Sequence, residues 1–310
     1  MPKVSVVIPS YNSEKYLSET IDSVLNQSFN DYELIIVDSN STDNTVNILQ
    51  AYQDVRIKII HTPLKCGNGI PRSLGYMAAT GEYIANMDSD DLMREDRLLK
   101  QVNFLDANPS VDILGSNFTL LDGDKRSERI QPVSDKDIKA NMLFISGNAI
   151  MNPTVMLRRK FVTDNNVYYP PLMVDADHAY WVECIKHGAT FANLADDLLD
   201  YRVHTNNTTR SHAETLRKNK TPLRINLLGM YFTDLSRNEC GQIAALMAED
   251  TTLSLYELYG CIDAVDKALR MSVGGYRVDV NVLKNILSYF RKVAVKSIDA
   301  ALNDRGLSPQ

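Results

Sequence analysis

The stretch VSVVIPSYN, residues 4–12, decides how the rest of the chain is read. Val4, Val6, Val7 and Ile8 form a short, β-branched apolar run closed by Pro9, the pattern of a strand buried on both faces of a parallel sheet. Working outward, strand and helix patterns alternate. Ser13 reads as an N-cap, and Tyr16, Leu17, Ile21, Val24 and Leu25 share one helical face. Residues 34–37 make the next strand, with Asp38 at its carboxyl end. A polar turn through Ser39 and Asn40 leads to a helix carrying Val46 and Leu49. Residues 57–60 are a third strand, followed by a loop with Gly67 and Gly69 and a helix to about residue 79. Residues 82–87 are a fourth strand ending at Asp88. Residues 94–107 read as a helix with Leu98, Leu99, Val102 and Leu105 inward, stopped by Pro109.

Strands alternating with helices imply a parallel sheet covered on both faces. Ligands of such sheets bind beyond the carboxyl ends of the strands. Pro9 and Tyr11, Asp38, and Asp88 all stand at strand ends, so segments distant in sequence are expected to converge on one crevice.

Residues 111–203 are more mixed, with strand-like runs at 111–114, 154–157 and 198–203 around a helix near 179–186. After Asn207 the pattern turns almost wholly helical, over 216–247 and from 253 onward; Leu283, Ile286, Leu287, Phe290, Val293 and Ile298 recur at helical spacing. The expected organisation is a catalytic domain over 1–210, with halves of about 1–110 and 111–210, and a helical region over 211–310.

The 310 residues, 44% apolar and 23% charged, have ordinary globular composition, and a net charge of −6 argues against a duplex-DNA binder. Cys66, Cys184, Cys240 and Cys261 are far apart without metal-site spacing, which reads as reduced thiols. With neither a signal-peptide pattern nor a run of about 18 apolar residues, the expectation is a cytoplasmic protein with at most peripheral contact at the inner membrane face. Arg291, Lys292 and Lys296 beside Phe290 and Val293 are the candidate for that contact. A solvated helix face is the commoner meaning of such a cluster, and self-association through the same helices is a further expectation.

The strongest chemical signal is Met87-Asp88-Ser89-Asp90-Asp91. Three carboxylates at the end of an apolar strand repel one another unless a cation or donors offset the charge. Hard oxygen ligands suit Mg²⁺ or Mn²⁺ bridging to a diphosphate. Asp90 is the candidate ligand and Asp91 the structural member; the competing reading is simple capping of the following helix.

Seven fragments recur in order: VVIPSYN at 6–12, SVLNQS at 23–28, ELIIVD at 33–38, STD at 41–43, ATGEYI at 79–84, DSDD at 88–91 and YRVH at 201–204. Together they resemble glycosyltransferase family 2, inverting enzymes of the α/β GT-A fold, over about residues 4–207. The resemblance implies that Pro9, Tyr11, Asp38 and Ser39 line the nucleoside pocket of a nucleoside-diphosphate-sugar donor, most often a UDP-sugar. It implies that Gly67, Asn68 and Arg72 approach the diphosphate, and that Asp88 and Ser89 serve the donor. Asp90 and His204 would hold a divalent cation (Mn²⁺ or Mg²⁺), with Asp88 reaching it through water. The acceptor would be a hydroxyl of a glycan or lipid-linked glycan. Counting back from Trp181 makes Asp177 the general base, with Asp175 as the alternative, and both also suit a helix N-terminus. Trp181 itself suits either stacking on a sugar or packing against the sheet. The chain departs from the family pattern at Ser39 and Asn40 (commonly Asp and Gly), at Ser73 (commonly Asn) and at Ala176 (commonly Glu). Asn152-Pro153-Thr154 matches the acceptor-side strand without an individual role.

Two other readings compete. A nucleotidyltransferase making an activated sugar also uses acidic metal ligands, but places a Gly-rich basic loop where Pro9-Ser10-Tyr11-Asn12 stands. A non-catalytic nucleotide-sugar or glycan binder would tolerate Ser39 and Ala176.

Overall fold

The computed structural model describes residues 1–67, 69–143, 149–172, 175–205, 213–248 and 252–303. The chain divides into two compact units, one drawn from residues 1–134 and 149–212, the other from 135–148 and 213–310.

The first unit opens with the expected alternation: β1 (Val4–Ser10), α1 (Leu17–Leu25), β2 (Tyr32–Asp38), α2 (Thr45–Ala51), β3 (Ile57–His61), α3 (Gly69–Ala78) and β4 (Tyr83–Asn86). It continues with β5 (Leu92–Met93), α4 (Arg97–Ala107), β6 (Ile113–Asp122) and β7 (Lys125–Arg129). After α5 (Asp135–Asn141), which belongs to the other unit, come a 3₁₀ turn (Asn152–Thr154), β8 (Met156–Arg158), α6 (Arg159–Asn165), α7 (Ala176–Lys186) and β9 (Phe191–Arg202).

Among the described residues the strands form one sheet in the order β3-β2-β1-β4-β8-β6-β9-β5, with β7 beside β6. The pairings β3-β2-β1-β4 are parallel. Beyond them β8 runs antiparallel to β4 and to β6, while β6 and β9 pair in parallel. The parallel half matters most for function, because its register aligns Ser10 with Asp38 and Asp38 with His61. Those alignments bring three strand ends to one edge, where α/β sheets bind ligands.

Apolar alternation explains why the sheet stays closed to water. Val4, Val6, Ile8, Leu34, Ile36, Tyr83 and Ala85 share a buried cluster with Leu17 and Ile21 of α1 and Leu98 and Leu105 of α4. On the other side α3 lies very close to β1. A Cβ placed on Gly75 would sit 2.3 Å from Val7 Cγ1, so the helix approaches that far only because the position lacks a side chain.

Two local expectations are corrected. Ser13 does not cap α1; its carbonyl closes a turn from the Tyr16 and Leu17 N–H groups, the helix begins at Leu17, and Tyr16 occupies the N-cap position. The Ser13 hydroxyl instead faces Ser89 at 2.8 Å. Leu99 is not inward: Leu98, Val102 and Leu105 fill the buried face of α4, and Leu99 falls on its exposed side.

Within the second unit, α8 (Ala213–Tyr231), α9 (Arg237–Met247), α10 (Leu255–Arg270) and α11 (Val280–Asn303) follow the helical periodicity. Leu227, Leu228, Phe232, Ile243, Val265, Leu283, Leu287 and Phe290 are its buried apolar residues. Ser236 with Glu239, and Ser254 with Glu257, form capping boxes that fix where α9 and α10 start. Tyr231 donates its hydroxyl to the Lys139 carbonyl at 2.8 Å, which fastens α5 to α8. The basic cluster of α11 is partly used internally. Arg291 pairs with Asp266 at 2.6 Å and Phe290 is buried, leaving Lys292 and Lys296 on the exposed face. No helix among the described residues is long and apolar enough to cross a membrane. All four cysteines are unpaired.

Candidate active site

Four loops and two helix starts meet at the carboxyl edge of the parallel strands, and side-chain hydrogen bonds hold them together. The loop after β1 is tied to the loop after β2: Ser41 Oγ accepts from the Asn12 N–H at 2.9 Å, and Asn12 Oδ1 accepts from the Thr42 N–H at 2.8 Å. Asn12 and Asn40 both adopt left-handed backbone (φ 49° and 59°), a conformation asparagine tolerates better than most residues. The Ser13–Ser89 contact joins the same loop to the one after β4.

One end of the site is built on β1 and β2. Asp38, almost wholly buried, accepts from Ser41 Oγ at 2.5 Å and lies 3.4 Å from His61 Nδ1. Tyr11 stands beyond the end of β1, and Lys65 Nζ lies 4.2 Å from its ring centroid. Pro9 pairs in register with Val37. Ser39 is buried behind them, and its N–H donates to the Ser10 carbonyl at 2.8 Å. His61 had no sequence signal; only the β2–β3 register brings it to Asp38.

At the start of α3, Gly67 is buried and its carbonyl accepts from the Ile70 N–H. Asn68 lies outside the described residues. Gly69 is held against the segment leading to α7: a Cβ there would fall 1.9 Å from the Pro170 carbonyl oxygen and 3.3 Å from Ala176 Cβ. Only glycine allows this approach, and it brings the start of α3 beside the start of α7. Arg72, one turn further, forms an ion pair with Asp88. Burial alone would lower the guanidinium's pKa, but the Asp88 charge and the Tyr169 hydroxyl raise it, so Arg72 stays cationic.

The acidic loop is the electrostatic centre. Ligand oxygens of Asp88, Asp90 and Asp91 all lie within 4.8 Å of one another. Burial pushes the Asp90 carboxyl above its usual range, Asp88 pushes it further, and His204 opposes both. His204 Nε2 stands 2.8 Å from Asp90 Oδ2, a contact spanning 114 residues. Asp91 is fully buried; its Oδ1 accepts from the Arg202 N–H at 2.9 Å and its Oδ2 has no hydrogen-bond partner among the described residues. Asp91 thereby pins the end of β9 to the loop, which presents His204 to Asp90. Beneath the loop, the buried Arg97 donates to the carbonyls of Pro153 (2.7 Å) and Asn86 (2.9 Å). Burial pulls its pKa down to about 9 despite Asp91 and Asp88, so it remains a countercharge at neutral pH.

The donor set fits a hard divalent ion. Three crowded carboxylates, with burial and repulsion disfavouring the anions of Asp90 and Asp91 and an imidazole nitrogen on Asp90, match Mn²⁺ or Mg²⁺ coordination. Asp90 and His204 would hold the ion directly, and Asp88 lies close enough to serve it through water.

The two candidate bases differ in environment. Asp175 occupies the N-cap position of α7 with left-handed backbone (φ 63°), and it is 9% exposed with Oδ2 3.9 Å from His178 Nδ1. Asp177, in the first helical turn, is more exposed, and its Oδ1 accepts from the His178 N–H at 2.9 Å. The Tyr201 hydroxyl is held well above its ordinary pKa by burial, then by Asp91, Asp88, Asp90 and Asp177 together. The Arg72–Asp88 ion pair ties the acidic loop to α3, and the start of α3 lies against the start of α7 at Gly69 and Ala176. Trp181, by contrast, is buried among Tyr169, Tyr180 and Phe191, which gives it a packing role.

Tyr16 was visible only as a helix-face residue. Its ring lies 5.1 Å from the His204 imidazole, with Arg202 4.8 Å from the ring centroid on the β9 side. This platform restrains His204.

Comparison with known proteins agrees with this geometry. Residues 5–165 match the model of the family described as "Glycosyl transferase family 2". A Haemophilus influenzae protein, an uncharacterized glycosyltransferase, is 34% identical over 188 residues, covering 60% of this chain and 73% of that one. The poly(ribitol-phosphate) β-N-acetylglucosaminyltransferase TarS of Staphylococcus aureus is 29% identical over 208 residues, 65% of this chain and 35% of TarS. The crystal structure of TarS residues 1–349 with UDP-GlcNAc superposes with a TM-score of 0.63 at 22% identity, covering 96% of this chain and 89% of that one. The Pyrobaculum calidifontis mannosyltransferase PcManGT, solved with GDP-Man and Mn²⁺, gives a TM-score of 0.55 at 18% identity, covering 96% and 87%. The nucleotidyltransferase and non-catalytic readings fall away against this agreement. The chain carries the GT-A fold, belongs to glycosyl transferase family 2, and is a glycosyltransferase.

Proposed function

We propose that this enzyme transfers a sugar from a UDP-sugar to a hydroxyl of a glycan or lipid-linked glycan, with inversion at the anomeric carbon. The observation that carries this reading is the joining of the acidic loop, with His204 on Asp90, to α3 through Arg72–Asp88, and of the start of α3 to the start of α7, which brings Asp177 to the border of the same space. One face of that space suits a diphosphate and the other a base.

Asp38 accepts from the base or ribose, Tyr11 covers the base, and Arg72 pairs with diphosphate oxygens. Asp177 takes the proton from the acceptor hydroxyl, whose oxygen attacks the anomeric carbon as the bond to the diphosphate oxygen breaks. Asp175, turned toward His178, is less accessible for that role. Asp90 and His204 would hold a divalent ion, which would supply neutralisation of charge on the departing nucleoside diphosphate. A cytoplasmic location with peripheral membrane contact, and self-association through the second unit, remain part of the proposal; exposed Lys292 and Lys296 support the former. The domain division at about residue 210 is likewise proposed, with residues 135–148 grouped with the helical region.

UDP is favoured over other bases because TarS, a relative in both sequence and fold, was solved with UDP-GlcNAc. A thermal-shift screen of nucleoside diphosphates with Mn²⁺ tests it. The reading expects UDP to raise the Tm most, and at a concentration 100-fold above Kd the stabilisation is about 2.7 kcal/mol. A larger shift with GDP would overturn the base assignment, and no shift with any diphosphate would overturn the donor site.

A further inference from the structure

Asn152 heads the 3₁₀ turn before β8, is buried, and has no place in the mechanism above. Its carboxamide lies 2.7 Å from the Tyr169 hydroxyl. Oriented with its oxygen toward the guanidinium, it accepts from both Nη1 and Nη2 of Arg72 at 3.1 Å. Asn86 Nδ2 lies 3.0 Å from both the Asn152 amide and the Tyr169 hydroxyl, and Tyr76 donates to Asn86 Oδ1 at 2.8 Å. Tyr169 also lies along Arg72, its ring centroid 5.8 Å from Cζ, and stacks on Tyr180 at 4.1 Å.

We propose that Asn152 is the positioning residue for Arg72: it holds the guanidinium from behind so that its remaining N–H groups face Asp88 and the donor diphosphate. This rests on the reading of Arg72 as a diphosphate ligand. The physical reason lies in the fork geometry of arginine. A planar guanidinium buried on all sides takes the direction dictated by its acceptors. Asp88 alone leaves it free to swing about one contact, whereas a second acceptor across the fork removes that freedom. A neutral amide suits the task better than a carboxylate. It fixes direction without cancelling the positive charge that a diphosphate must meet, and its own NH2 group, donating to the Tyr169 hydroxyl at 2.7 Å, fixes the amide in turn. Preorganisation of this kind acts on the end of the ligand that Arg72 touches and leaves the nucleoside end alone.

The test compares UDP, by titration calorimetry with Mn²⁺, and uridine, by ligand-observed NMR, on the full chain. Asn152→Ala is expected to raise the Kd for UDP about tenfold while uridine binding stays unchanged, a split that general loss of structure would not produce. Asn152→Asp, nearly the same shape, is expected to weaken UDP binding further, because a carboxylate would compete for Arg72. Arg72→Ala must produce the same UDP-selective loss. If Arg72→Ala weakens UDP and both Asn152 variants do not, the positioning role is overturned and the Arg72 reading survives. If Arg72→Ala itself leaves UDP binding intact, both fall. Equal loss of uridine and UDP in Asn152→Asp also overturns the proposal.

Discussion

Asp177→Asn is expected to lower turnover by about 10²–10⁴-fold while leaving the Kd for the donor unchanged, the range associated with removing a general base. The substitution separates the two roles open to this residue. As part of a helix N-terminus, Asp177 accepts from the His178 N–H at 2.9 Å, and an asparagine oxygen can make the same contact. Asparagine is a far weaker base than carboxylate, so only the chemical step should suffer. Asp175→Asn should cost turnover less, since that carboxylate is turned toward His178 and is the more buried of the two. Single-turnover transfer measured beside donor titration checks the pair. Undiminished transfer in Asp177→Asn removes it from the mechanism, and a collapse confined to Asp175→Asn transfers the role.

Asp90→Asn should abolish metal-dependent donor binding and reduce turnover by about 10²–10³-fold, comparable with loss of a preorganised electrostatic contact. Its effect on stability should run the other way. Burial, then repulsion from Asp88, already raises the Asp90 pKa above the ordinary carboxylate value, so the folded protein disfavours the anion when no cation is bound. A folded-state pKa above the unfolded one contributes stability at low pH that is lost as pH rises through the folded value. At neutral pH without metal, the neutral variant should therefore melt no lower than the wild type. With Mn²⁺ present, the wild type should gain Tm and the variant should not. Calorimetric melting with and without the ion measures both arms. A variant that gains as much from Mn²⁺ as the wild type places the ion elsewhere.

How much of this was legible without coordinates depended on the kind of signal. The β-branched runs at 4–8, 34–37 and 57–60 specify buried parallel strands because little else suits such residues, and each appears as a strand within a few residues of its expected bounds. The site residues were legible where they sit at strand ends, as Asp38 does, or in an acidic run such as 88–91. Their mutual contacts were not. His61 meets Asp38 only through the β2–β3 register, and His204 meets Asp90 only because Asp91 grips the Arg202 N–H. Local misreadings share a cause. Ser13 has the chemistry of a cap, yet tertiary pairing with Ser89 takes its hydroxyl and moves the helix start to Leu17. Asn152 was singled out only as part of the stretch matching the acceptor-side strand, with no role of its own, because a buried asparagine in a turn resembles any other until the guanidinium behind it is located.

A crystal structure with Mn²⁺ and the nucleoside diphosphate, with the ion located from its anomalous scattering, tests the shared site most directly. The account predicts the ion on Asp90 and His204, the diphosphate between it and Arg72, and the Asp177 carboxylate facing the vacant sugar position. An ion bound away from Asp90, or an Asp177 carboxylate turned to a different cavity, would contradict it.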